Sequence, residues 1–329
     1  MSERARFIGV LGILALFLAG GIYLGRQWSA PLSPEYYASC SLLMKQIYQS
    51  GLGDVYDYEG EANFEEPSFY YLAYYEVEKG ELTKLDFAPN SVSVPDEYTD
   101  SAAQQEVWDL FTQLIPPSDR QMVIDFNVFT DGYSNTLAAV DRSKRDISMW
   151  TLEADVADLE DKNSLVFTMI HEYAHLLTLQ TSQVEPDAEL AHNFNNLALL
   201  TEKEHLCQNY FTGMGCSYAD SYINIFYERF WKDIDDEWRK VDALQYNTDD
   251  LISYYNALHN FYKTHQDQFV GDYAATHPTE DIAESFTHFV FSPKPIGSSI
   301  REQKILFFYE YPELIRLRED ILNGACKLK

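Results

Sequence analysis

Residues 164–180 read Ser164-Leu165-Val166-Phe167-Thr168-Met169-Ile170-His171-Glu172-Tyr173-Ala174-His175-Leu176-Leu177-Thr178-Leu179-Gln180. Apolar residues at Val166, Phe167, Ile170, Tyr173, Ala174 and Leu177 recur at three- and four-residue steps, with Asn163 and Ser164 before them as N-caps. The spacing predicts a helix. Residues four apart on a helix share a face, so His171 and His175 point the same way. Two imidazoles so placed can take two corners of a tetrahedral zinc. Glu172, one step round the helix, can then reach a water on the open corner as general base. The competing reading is a core helix with two solvated or hydrogen-bonded histidines, so the case turns on whether a third ligand exists elsewhere.

One other stretch supplies it. Residues 273–286 read Tyr273-Ala274-Ala275-Thr276-His277-Pro278-Thr279-Glu280-Asp281-Ile282-Ala283-Glu284-Ser285-Phe286. Thr276 or Thr279 can cap a helix that Pro278 helps to start, and Ile282, Ala283, Phe286 and Phe289 continue it. Glu280 and Glu284 lie four apart, on one face. A carboxylate from a second helix suits zinc, a borderline-soft cation, as a third ligand.

His-Glu-Tyr-Ala-His, followed about a hundred residues later by Tyr-Ala-x-Thr-x-x-x-Glu-x-x-x-Glu, resembles the gluzincin-type HExxH zinc metallopeptidases, in particular the anthrax lethal factor-like group. The resemblance covers the two motif helices and the surrounding residues, and does not extend to the first 100. It implies one zinc per chain held by His171, His175 and Glu280, with Glu172 as the base and Tyr273 as the phenol that stabilises the oxyanion. It also implies that Glu284 orients a ligand histidine from outside the ligand set. His277 departs from the family pattern, which has an asparagine there; the expectation for it is a surface histidine, with a second oxyanion donor as the alternative.

Other zinc-peptidase classes fit less well. The metzincin pattern needs Gly and His where this chain has Thr178 and Thr181. The apolar run Leu165 to Leu179 contains two His and a Glu and is too short and too polar to span a bilayer. Glu202, Glu204 and His205, on a helix expected over residues 188–210, remain rival third ligands, as do Asp281 and Glu284.

The chain has 329 residues, 46% hydrophobic and 15% aromatic, enough for one large core or two modest ones. Its formal net charge of −28 argues against nucleic acid as a partner. Phe7 to Gly25 carries no charge and is long enough to cross a bilayer. Arg4 and Arg6 before it, against Arg26 after it, predict a cytoplasmic N-terminus and an extracytoplasmic catalytic part; secretion after signal cleavage is the alternative. Four cysteines agree with that compartment, with Cys207–Cys216 and Cys40–Cys326 the preferred pairing.

Three segments follow: 1–30, a cytoplasmic tip and transmembrane anchor; 31–100, an acidic segment; and 101–329, a zincin-like catalytic domain. Within the acid-rich stretch Asp54 to Asp109, opposed only by Lys79 and Lys84, Phe69 to Val77 and Leu82 to Phe87 read as a hairpin about Lys79-Gly80-Glu81. A helix is expected over 36–49 and another over 104–114, then strands over 122–130 and 146–152. By the resemblance, the last strand lies at the sheet edge, where Ile147 to Leu152 would offer backbone hydrogen bonds to a peptide. Trp150 reads as core. Further helices are expected over 218–241, 249–268, 280–291 and 300–323; His288 has no partner at ligand spacing, and reach of the cleft mouth is its alternative reading. The expected fold is α+β, a small twisted sheet plus several helices behind an anchor. The expected function is a membrane-anchored zinc endopeptidase acting on a peptide or protein substrate. The alternative is an inactive binding or assembly protein of the same fold.

Overall fold

The computed structural model describes residues 41–52, 69–87, 96–132, 136–193, 196–246 and 251–328. The fold is mixed α+β, with a five-stranded sheet and many helices. Among the described residues, no helix is long and apolar enough to cross a membrane; the predicted anchor lies outside them. The described residues form two compact units, one of those before Tyr173 together with those from Arg316 on, the other of those from Tyr173 to Ile315.

The first unit opens with α1 (Ser41–Ser50), the described part of the helix expected over 36–49. A hairpin of β1 (Tyr70–Glu78) and β2 (Glu81–Phe87) follows. Lys79 and Gly80 connect the strands with φ of 54° and 85°. Two positive φ values in a two-residue loop match the right-handed twist of the flanking strands. Next, α2 (Ser101–Leu114) starts where the Asp100 side chain accepts from the Ala102 amide. It stops at Ile115, which Pro116 holds extended.

The rest of the sheet is β3 (Val123–Thr130), β4 (Ala138–Arg142) and β5 (Trp150–Asp155), in the order β2-β1-β3-β5-β4. β3 and β5 pair in parallel and β4 pairs antiparallel to β5. The sheet therefore corrects the expected edge. β5, the strand before the His171 helix, is interior and buried at all six positions, and β4 takes the edge. The reversal at residues 143–149, closed by the Ser143 amide donating to the Met149 carbonyl at 2.9 Å, returns the chain onto its own strand. β4 is short and weakly patterned, so alternation along the chain does not reveal it. Trp150 is core, 0% exposed, with the Arg142 guanidinium 4.2 Å above its ring. Inside the sheet, Tyr71 and Asn127 donate to the Glu153 carboxylate at 2.9 and 2.6 Å. Burial pushes that carboxyl up, and the two donors pull it back.

α3 (Lys162–Leu179) leaves the sheet through Asp161, whose carboxylate accepts from the Ser164 amide and hydroxyl. From Leu165 to Leu179 every residue is buried. A helix enclosed on all sides is normally apolar all round, so two histidines and a glutamate within it call for a compensating partner.

The second unit contains α4 (Ala188–His192), α5 (Leu197–Leu206), α6 (Tyr222–Phe230), α7 (Asp235–Asp242), α8 (Leu251–Thr264), α9 (Pro278–Phe291) and α10 (Ile300–Phe307). α11 (Pro312–Ala325) then runs on into the first unit's C-terminal residues. Three long helices expected from the pattern are each two. Asn196 caps α5 anew by accepting from the Leu199 amide. Trp231 ends α6 and turns fully inward. Pro312 lacks the N–H a continuous helix needs and holds Tyr311 extended.

The expected Cys207–Cys216 disulfide is present, with its Cα atoms 5.4 Å apart. Cys326 is also disulfide-bonded; its expected partner, Cys40, lies outside the described residues. The Cys207–Cys216 loop lies against the chain leaving α3, the Glu185 amide donating to the Cys216 carbonyl at 3.0 Å. A Cβ on Gly215 would meet the Glu185 carbonyl oxygen at 2.0 Å, so only glycine fits this approach. Closing a loop with a separation of 9 removes modest unfolded-state entropy. Cys207→Ser/Cys216→Ser is therefore expected to cost about 2–3 kcal/mol in urea unfolding.

Candidate metal centre

α3 carries both His171 and His175. Its hydrogen bonding holds the two rings one turn apart on one face. On the turn beyond, the Thr178 hydroxyl donates to the Ala174 carbonyl at 2.7 Å, which satisfies a buried polar group without an outside partner.

α9 brings the third donor. Pro278 occupies the first helical turn, and the His277 ring nitrogen Nδ1 accepts from the Thr279 amide at 3.2 Å, capping the helix. His277 is therefore a half-buried cap, not the surface residue expected from its sequence. Burial pushes its imidazole down to about 4, which preserves the lone pair the cap requires. Glu280 and Asp281 lie in the first turn, where the helix dipole favours negative charge.

Nε2 of His175 and Oε2 of Glu280 face each other at 3.2 Å. His171, His175 and Glu280 each offer a donor atom within 4.8 Å of the others, and all three are buried. Together with Glu172 they are 5 to 9% exposed. Two imidazole nitrogens and one carboxylate oxygen make a donor set that a zinc ion accepts, with one position left over. A cation among them would also offset the cost of burying the Glu280 carboxylate. The donor chemistry and the burial therefore fit a metal.

The remaining site residues are placed as follows. Glu172 is buried on α3 immediately after His171. Tyr273 is half-buried in the 3-10 turn Tyr273–Ala275, where its carbonyl accepts from the Thr276 hydroxyl at 2.8 Å. Trp238 pins the same turn through its indole N–H, 2.9 Å from the Thr276 carbonyl. Glu284 follows Glu280 by one turn and is the one residue of α9 that is not fully buried. The rivals are placed elsewhere. Glu202 and His205 are exposed on α5, Glu204 pairs with Arg239, and Asp281 pairs with Lys304.

Sequence reasoning missed that last pair. Lys304 and Asp281 are 0% exposed, and Nζ lies 2.6 Å from Oδ2. The Trp231 indole donates to the same oxygen at 2.7 Å. Burial pushes the Asp281 carboxyl up, against the pull of the ammonium and the indole. A lone lysine on an amphipathic helix reads as a solvated charge, so no local signal marked it.

His288 is 5% exposed, in the body of α9. Burial pushes its imidazole down to about 4, partly countered by the Glu284 carboxylate. The folded state therefore holds this ring neutral where the unfolded chain, near 6.5, takes up a proton. Stability contributed by the neutral ring is present above ~6.5 and is lost as pH falls towards ~4, at up to about 1.4 kcal/mol per pH unit. His288→Phe is expected to flatten the acid limb of a urea-midpoint against pH curve; an unchanged slope would show that another group is responsible.

No family model, curated protein or solved structure matches the chain.

Proposed function

We propose that the protein is a zinc-dependent endopeptidase of the gluzincin type, anchored by its N-terminal segment with its catalytic part outside the cytoplasm. The observation that carries this reading is the meeting of His171 and His175 with the Glu280 carboxylate, the donor atoms lying within 4.8 Å of one another. His171, His175 and Glu280 would hold the ion. Zinc in such a site would act as a Lewis acid and lower the pKa of a coordinated water to about 7.

The chain's own groups do the rest. The Glu172 carboxylate takes a proton from the attacking water and later delivers it to the leaving amine. The Tyr273 phenol donates to the carbonyl oxygen as negative charge develops there. Glu284, one turn beyond Glu280, orients a ligand histidine. Enclosure of the donors keeps bulk water from weakening these interactions. Tyr273→Phe is expected to lower kcat by about 10²-fold with metal content unchanged, as for loss of one oxyanion donor. Steady-state kinetics beside a zinc assay checks this.

The direct test uses the purified chain. Its zinc content is measured, and cleavage of a peptide library is followed before and after chelation. Zinc uptake with chelator-sensitive cleavage is the expected result. A folded protein that takes up no zinc would sink the reading. Zinc without cleavage of any peptide would instead favour a binding protein.

A further inference from the structure

The side chains that grip Asp281 form a second device beside the candidate metal site. α9 is buried at every residue but Glu284, with Phe286, Phe289 and Phe291 all 0% exposed. That apolar packing is strong but non-directional, so it does not by itself set the rotation of the helix about its axis. A rotation of 20° would swing a side-chain tip by about 2 Å at a helix's outer radius. Metal ligands tolerate only about 0.5 Å.

Asp281 follows Glu280 and projects about 100° further round the helix. Its Oδ2 is held by the Trp231 indole at 2.7 Å and by Lys304 Nζ at 2.6 Å, and the Ser285 hydroxyl lies 3.4 Å from Oδ1. The lysine approaches off the direction of a hydrogen bond, so charge rather than alignment holds it. Its ammonium also lies 4.0 Å from the centre of the Phe269 ring and 5.7 Å from that of Trp231. α10, which carries Lys304, is itself fixed by a capping box between Ser299 and Glu302.

A buried ion pair is poor value as a source of stability, since apolar groups of the same volume often serve as well. Directional contacts to a residue adjoining a metal donor serve a different purpose. We propose that Asp281, held by Lys304 and the Trp231 indole, is the positioning residue that sets the rotation of α9 and so aims the Glu280 carboxylate at His175. The inference rests on the metal reading above and adds the residues that tune it.

The test compares full-length wild type with Asp281→Leu/Lys304→Met, which removes both charges together and leaves no ion unpaired. Zn²⁺ affinity is measured by chelator competition, and the visible absorption of the Co²⁺-loaded protein reports ligand geometry. The expected result is a cooperatively unfolding protein with Zn²⁺ affinity lowered about 10–100-fold and a changed Co²⁺ spectrum. Asp281→Asn/Lys304→Met keeps an oxygen acceptor for the indole and is expected to recover most of the affinity. Phe289→Leu, which thins the apolar packing of the same helix, is expected to lower stability and leave the spectrum unchanged. A folded leucine–methionine variant with wild-type affinity and spectrum overturns the proposal. If that variant does not fold, Trp231→Phe removes the indole donor alone, and unchanged affinity and spectrum there overturn it equally. Wild type that binds neither Zn²⁺ nor Co²⁺ is a separate failure, of the metal reading itself, and takes this inference with it.

Discussion

Glu172→Gln is expected to slow peptide hydrolysis by about 10²–10⁴-fold, the range general acid–base catalysis supplies, while the chain keeps its zinc. The side chain is buried on α3, next to His171 and one turn before the residues that follow His175. Glutamine has the same shape and can still hydrogen-bond, but it cannot take a proton from water near neutral pH. The two histidines and Glu280 are untouched, so metal content and unfolding midpoint should stay at wild-type values. KM should move far less than kcat, because the lost interaction belongs to the transition state. Fluorogenic-peptide kinetics with a parallel metal assay would check all three. Full activity in the variant would remove Glu172 from the mechanism; loss of zinc in step with activity would make it a ligand instead.

Glu280→Ala has the second large effect, and it falls on binding rather than turnover. Removing one donor of three should weaken Zn²⁺ by more than the ~10–100-fold that a supporting carboxylate contributes, which is the effect expected of Glu284→Ala. Stability makes the contrast visible. A ligand at 100 times its Kd stabilises the folded state by about 2.7 kcal/mol, so saturating zinc should raise the wild-type Tm. In Glu280→Ala that rise should vanish. Metal-free wild type and metal-free variant serve as the references, because without metal the variant also loses the 3.2 Å approach of His175 Nε2 to Glu280 Oε2. Thermal scans with and without zinc would decide it. A greater loss of zinc on Glu284→Ala than on Glu280→Ala would reassign the third ligand.

Different parts of this protein were legible to different depths. The β1–β2 hairpin announced itself because Lys79-Gly80 meets a local requirement for positive φ. α3 was legible because a helical repeat sits within a single stretch of chain. The helices that the pattern predicts over 218–241 and 300–323 are each broken in the structure. Their breaks at Trp231 and Tyr311 follow from an indole drawn inward and from a proline's effect on its neighbour. β4 escaped notice and displaced β5 from the edge, because strand order depends on which backbone finds a partner and not on either strand's own pattern.

By itself, the sequence determined that His171 and His175 share a helical face with Glu172 between them, and that Cys207 and Cys216 lie close enough to join. Both are consequences of short separations along the chain. The resemblance pointed to Glu280, but only the tertiary structure decided the meeting: among the described residues it brings Glu280 to the two imidazoles while turning Asp281 towards Lys304 and Trp231. Contacts between residues some hundred positions apart arise from how helices pack. Packing selects among carboxylates by the direction each side chain takes from its helix, which no repeat along the chain encodes.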